Sequence, residues 1–153
     1  MIIKFIKQRL GARKFRRGTK ESAGFDICAN VATDVKFAID IPPHETTLVP
    51  TGICTEMPKG TVGLVFPRSG LATKRGLRLA NCVAVIDSDY RGEWFVPLHN
   101  DSNVVRTIEH GERIAQVIFL KLPKVKMKEI PVEKFNANTE RGNGGFGSTG
   151  KRG

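Results

Sequence analysis

A carboxylate at the end of an apolar strand, with a tyrosine close behind it, can activate a water, and the segment Val83 to Glu93 (VAVIDSDYRGE) has that pattern. Asp87 closes the apolar run, and Tyr90 is the chain's only tyrosine. A carboxylate in this position can orient a water or accept its proton. Ordinary hairpin chemistry accounts for Asp89 and Gly92, and accounts less well for Asp87 and Tyr90. A second candidate is Pro67-Arg68-Ser69-Gly70-Leu71-Ala72. Here an arginine and a serine precede a predicted short helix, whose open N–H groups and positive dipole end suit phosphate. Taken alone, Ser69 reads more simply as a helix cap. A third is the tail RGNGGFGSTG, from Arg141 to Gly150. Its glycines expose backbone donors, Arg141 offers a planar fork, and Ser148 and Thr149 offer hydroxyls. It is not a P-loop, for it lacks the Gly-Lys-Ser/Thr ending. Phe146 stands alone among these small residues, and a solvated linker has little use for a phenylalanine.

The elements that must position these residues read mainly as strands. Short apolar or alternating runs cover Met1 to Ile6, Phe25 to Val31, Val35 to Ile41, Thr46 to Glu56 and Thr61 to Phe66. More follow over Asn81 to Ile86, Glu93 to Leu98, Asn103 to Ile108 and Arg113 to Leu122, separated by Pro- and Gly-containing turns. Strands at this spacing predict an all-β barrel or double-sheet roll, with one short helix around Ser69 to Lys74. The glycine-rich tail cannot contribute to a core and is expected to be mobile.

The 153 residues suit one domain, and 40% hydrophobic with 26% charged residues is ordinary for a globular protein. No apolar run approaches the ~20 residues of a membrane span, and Met1 to Ile6 is too short and too charged for a signal peptide. Cys28, Cys54 and Cys82 are widely spaced, which points to neither a disulfide framework nor a zinc site, and a reduced, cytosolic setting is the simplest reading. The net charge of +10 favours polyanionic partners. Lys4, Lys7, Arg9, Arg13, Lys14, Arg16, Arg17 and Lys20 all precede the first acid, Glu21. A solvated basic face explains this run more simply than nucleic-acid recognition, because no aromatic interleaving accompanies it. A mitochondrial presequence is disfavoured, since only one strand's length lies before Ser22.

Five segments together resemble the trimeric dUTP pyrophosphatase (dUTPase) family: Ser22-Ala23-Gly24-Phe25-Asp26-Ile27, Pro67 to Ala72, Asn81 to Gly92, Gly111-Glu112-Arg113-Ile114-Ala115-Gln116, and Arg141 to Gly150. They keep the family's order and approximate spacing from residue 22 to residue 150. Ala84 stands where the family usually has glycine, and Phe25 replaces a frequent tyrosine or leucine.

The resemblance implies a β jelly-roll-like barrel over residues 1–140, a flexible arm over 141–153, and a homotrimer with active sites at subunit interfaces. It implies hydrolysis of dUTP to dUMP and pyrophosphate, which keeps uracil out of DNA and supplies dUMP for thymidylate synthesis. Asp87 would activate the attacking water. Arg68, Ser69, Gly70, Gln116, Arg141, Gly147, Ser148 and Thr149 would hold the phosphates. Asn81, Val85, Ile86, Tyr90 and Phe146 would bind the uracil and deoxyribose, Tyr90 excluding a 2′-hydroxyl and Phe146 stacking on the base. Asp26 would support Mg²⁺ through water. The protein would be cytoplasmic, or nuclear in a eukaryotic or viral setting. A dCTP deaminase on the same scaffold and a non-catalytic regulatory protein contacting nucleic acid weakly through the basic N-terminus are the alternatives.

Overall fold

In this computed structural model, residues 1–146 and 148 are described. The chain divides into two compact units, Met1–Pro123 and Lys124–Gly153. The first is all-β apart from one short helix, in agreement with the strand pattern. Its strands are β1 (Lys4–Lys7), β2 (Phe25–Cys28), β3 (Ala38–Ile41), β4 (Thr46–Pro50), β5 (Ile53–Glu56), β6 (Thr61–Pro67), β7 (Leu77–Leu79), β8 (Ala84–Asp87), β9 (Phe95–Asn100), β10 (Arg106–Glu109) and β11 (Arg113–Lys121), with helix α1 over Ser69–Arg75. They form an antiparallel sheet ordered β2-β11-β6-β8, a second ordered β4-β9-β7, and the pairs β1-β5 and β3-β10.

The four-stranded sheet positions most of the candidate residues, and its pleat decides which way they point. Residues directly opposite one another share a face, and alternate residues change face. Ile27, Val65, Ala84, Ala115 and Val117 lie on the inner face and join the buried core. The register pairs Asp26 with Gln116, Gln116 with Phe66, Leu64 with Val85, and Val62 with Asp87. Asp26, Gln116, Val85 and Asp87 therefore all point outward, and a one-residue slip would bury the polar groups of Asp26, Gln116 and Asp87. The inner face meets Val49, Val96 and Leu98 of the second sheet in the same core. Trp94 anchors one end of that core, with ring centroids 5.1 Å from Phe15 and 6.2 Å from Phe119.

Local chemistry sets the departures from the sequence pattern. The run Thr46 to Glu56 is two strands, because buried Thr51 turns aside to donate its hydroxyl to the Trp94 carbonyl at 2.8 Å. The strand expected from Asn81 begins at Ala84. Cys82 has φ 60°, and the Val83 N–H reaches back to the Asn81 carbonyl at 2.6 Å, so residues 81–83 form a turn. The three-residue strand β7 was too short to register as a pattern. Helix α1 ends at Gly76, whose left-handed φ of 64° closes the last turn.

The second unit contains a 3₁₀ turn over Val132–Lys134 and a tight turn in which the Gly142 N–H donates to the Thr139 carbonyl at 3.0 Å. No helix among the described residues is long and apolar enough to cross a membrane.

Candidate active site

Two cavities gather most of the candidate residues of the first unit. The first, about 260 Å³, is lined by Asp26, Arg68, Ser69, Gly70, Arg113, Gln116 and the loop residues Gly18, Ser22 and Gly24. Asp26 organises it. One carboxylate oxygen forms an ion pair with the Arg68 Nε at 3.2 Å, and the other accepts a hydrogen bond from the Arg113 Nη1 at 3.0 Å. Arg68 also donates to the Arg113 carbonyl at 3.1 Å. Two guanidinium groups thus share one carboxylate, which leaves the cavity cationic and its arginines held in place. Such a pre-set pair of planar forks suits phosphate oxygens.

Gln116 donates to the Pro67 carbonyl at 3.1 Å, which ties β11 to the start of the helix. Gly24 makes this placement feasible, because a Cβ there would sit 2.8 Å from the Gln116 Oε1. The N-cap of α1 is Arg68 and makes no side-chain capping bond. Ser69 is the exposed first helical residue, so it is not the cap its type suggests. On β2, burial raises the Cys28 thiol above its ordinary pKa, and Arg13 only partly offsets this.

The second cavity, about 280 Å³, is lined by Val85, Ile86, Asp87, Tyr90, Glu93, Trp94 and Phe95. The Tyr90 hydroxyl donates to the Glu93 carbonyl at 3.0 Å, which fixes the ring over the hairpin. Buried Glu93 is itself held by the Arg9 Nε at 2.8 Å and by the Gly52 N–H at 2.8 Å. Asp87 is exposed at the end of the sheet's edge strand. Asn81 is exposed on the neighbouring turn and lines neither cavity.

Within the second unit, Arg141 donates from its Nε to the Gly144 carbonyl at 3.0 Å, and Ser148 is exposed. Phe146 is fully exposed and has a left-handed φ of 49°. Gly147 and Thr149 lie outside the described residues.

Three participants had no role in the sequence reading: Arg113, Glu93 and Ser22. Arg113 and Gln116 are three residues apart, which on a regular strand means opposite faces. A register shift between Arg113 and Ala115 breaks that alternation and brings both into one cavity. The signal that could have found Arg113 was its place in the fourth motif.

A dUTPase family model matches residues 12–150, nearly the whole chain. The chain belongs to the dUTPase family. Among its relatives, a deoxyuridine 5'-triphosphate nucleotidohydrolase of Finegoldia magna is 44% identical over 129 residues, 84% of this chain and 85% of that one. The namesake protein of Candida albicans is 46% identical over 136 residues, 88% of this chain and 79% of that one. A structure of Staphylococcus bacteriophage 80alpha dUTPase with dUPNHPP shares 26% identity and superposes with a TM-score of 0.84, covering 98% of this chain and 99% of that chain. The dUTPase match takes in both cavities and the glycine-rich tail, and it also takes in Arg13, Lys14, Arg16 and Arg17.

Proposed function

We infer that this dUTPase hydrolyses dUTP to dUMP and pyrophosphate at sites that copies of the chain complete for one another in a homotrimer. The observation that carries this reading is the separation of the two cavities. Gln116 and Asp87 share the outward face of one sheet, yet Gln116 stands opposite Phe66 and Asp87 opposite Val62. At ~3.3 Å per residue and ~4.8 Å per strand, that puts them roughly 16 Å apart. One triphosphate cannot be gripped by Gln116 while its α-phosphorus sits beside a water on Asp87 of the same chain. Val85, Leu64, Ile118 and Leu120 lie on this outward face between the two and are only partly covered. That face suits contact with a second copy, which would bring its own Asp87 to this chain's phosphate cavity.

In this reading Arg68, Ser69, Gly70 and Gln116 hold the phosphates, with Ser69 near the bridging oxygen that leaves with pyrophosphate. Asp87 orients the attacking water and accepts its proton. Tyr90, fixed by its bond to Glu93, lies against the deoxyribose where a 2′-hydroxyl would clash. Asn81 and the backbone of the following turn, with Val85 and Ile86, read the uracil edge. Phe146 has no burial of its own, which supports a role as a stacking partner for the base. Arg141, Ser148 and the two residues outside the described set, Gly147 and Thr149, would meet the outer phosphates. Residues 141–153 would act as an arm that closes a neighbour's site, excluding water and strengthening the electrostatics. Three unpaired thiols suit a reducing compartment such as the cytoplasm.

The residues also fit Mg²⁺. Among the described residues no cluster of three or more His, Cys, Asp or Glu could cage a metal, and Asp26 is the one carboxylate lining the phosphate cavity. That matches an ion which prefers phosphate oxygens and retained waters. When bound to the triphosphate, Mg²⁺ would neutralise phosphate charge. Asp26 would hold one of its waters while keeping Arg68 and Arg113 in place.

Product analysis with a panel of dUTP, UTP, dTTP and dCTP tests the assignment. The expected result is dUMP and pyrophosphate from dUTP, with far lower kcat/KM for the others. Comparable turnover of UTP, or ammonia from dCTP, overturns it.

A further inference from the structure

A third cavity adjoins the phosphate pocket and is the larger of the two, at about 520 Å³. Arg13, Lys14, Arg16 and Arg17 line it together with Cys28, Gly111 and Glu112, and it shares Gly18, Asp26, Arg68 and Arg113 with the phosphate pocket. Its acids are already engaged. Asp26 holds Arg68 and Arg113, and Glu112 pairs with Arg75 of α1. Among the described residues, none of Arg13, Lys14, Arg16 and Arg17 forms an ion pair with a carboxylate.

These cations are placed by the fold. Arg16 forms an isolated β-bridge with Asp26, so the basic run is laid along the outer edge of β2. The Arg13 Nη1 donates to the Gly111 carbonyl at 3.2 Å, and its guanidinium occupies the space that any side chain at position 111 would fill. The Arg17 guanidinium stacks 4.7 Å from the centroid of the Phe25 ring. Ordering long cationic side chains costs entropy, and here it assembles like charges around a concave space.

We propose that this cavity is a second anion subsite, taking a condensed phosphate group beside the substrate's triphosphate. Two sources share that chemistry: the pyrophosphate product and the polyphosphate tail of another nucleotide. A di- or triphosphate fits a concave site of this size with several convergent arginines. A nucleic-acid backbone would need a longer track with stacking aromatics. The subsite gives a role to Arg13, Lys14, Arg16 and Arg17, half of the cations before Glu21, whereas Lys4 and Arg9 pair with Glu56 and Glu93 elsewhere. The inference rests on the reading of the adjoining cavity as the triphosphate site, and the test separates the two.

Titration calorimetry is run on the full chain saturated with a non-hydrolysable α,β-imido dUTP, using inorganic pyrophosphate, ATP and a short oligothymidylate as probes. Turnover of dUTP is measured in parallel. The subsite predicts one additional pyrophosphate per chain in the presence of the analogue. Its affinity should fall about tenfold or more in Arg16→Gln/Arg17→Gln, because charge-assisted bonds are lost, while dUTP kcat/KM changes by less than about threefold. ATP binding to the analogue-saturated protein, lost in the same variant, identifies a nucleotide tail as the ligand; its absence identifies the product. Absence of any extra pyrophosphate, with dUTP turnover intact, overturns the subsite alone. Oligothymidylate binding tighter than either phosphate probe, and abolished by the same substitutions, overturns it in favour of a nucleic-acid surface. Absence of dUTP turnover would instead refute the function on which it rests.

Discussion

The phosphate cavity and the Asp87–Tyr90 hairpin stand at opposite edges of one sheet, and they are built in opposite ways. At the β2 edge, Asp26, Arg68, Arg113 and Gln116 are held by ion pairs and by hydrogen bonds to backbone carbonyls. At the β8 edge, Asp87 and Asn81 are exposed, and of these and Tyr90 only Tyr90 is tied back, to the backbone of the anchored Glu93. A polar group that binds charge works best pre-organised, since reorganisation then costs nothing when the ligand arrives. A group that must meet atoms brought by another chain gains nothing from partners of its own. Under the proposed trimer, the first edge would be finished within one subunit and the second would be completed by a neighbour.

If the exposed edge carries the chemistry, Asp87→Asn is the substitution with the largest expected effect. Removing a positioned base should lower kcat by about 10²–10⁴-fold, while calorimetry shows dUTP-analogue binding within a few-fold of wild type. A variant that turns over nearly as well as wild type would place the base elsewhere. At the finished edge, Arg68→Gln removes one phosphate fork and frees one oxygen of Asp26. A charge-assisted hydrogen bond is worth about 1.5–3 kcal/mol, so kcat/KM should fall by about 10- to 150-fold. Steady-state kinetics would show the loss. If only Tm changes, the arginine is structural.

Tyr90 sharpens the comparison at smaller scale. Tyr90→Phe loses only the bond to the Glu93 carbonyl, a net of about 0.5–1.5 kcal/mol, and should keep discrimination against UTP. Tyr90→Ala opens the sugar site, and the ratio of dUTP to UTP kcat/KM should fall. An unchanged ratio would show that the ring does not touch the ribose. The smallest expected effect concerns the thiols. Cys82 is exposed on the turn beside Asn81, whereas burial raises the pKa of Cys28 and Cys54 and leaves fewer thiolates at neutral pH. Mass spectrometry after brief alkylation should find Cys82 labelled first, and a dUTP analogue should protect it. Labelling of Cys82 that ignores the analogue would put the base away from this turn.

Much of this is legible in the amino-acid sequence. Apolar and alternating runs located most of the strands, clearly so in β9, where buried residues alternate with more exposed ones, although β1 is exposed throughout. The five motifs marked both edges. What escaped were features that depend on broken alternation or on partners far along the chain. The β-bulge that turns Arg113 into the cavity has no signal in residue type. Glu93 reads only as the first residue of a strand, and only folding brings Arg9 and Gly52 to it from 84 and 41 positions away. The positive φ of Cys82, which shortens the predicted strand, is unusual for its residue type, so composition argued the wrong way there.

The central claim is that copies of the chain complete one another's sites, with Asp87 and the tail of each site coming from different copies, and complementation tests it most directly. One variant is Asp87→Asn with an intact tail; the other keeps Asp87 and ends at Glu140. Each alone should be nearly inactive. Co-refolded in equal amounts, they should recover about a quarter of wild-type activity, because two independent choices must both fall correctly in a closed ring. If mass measurements confirm mixed assemblies and activity stays at background, the sites are not shared between copies and the account is wrong.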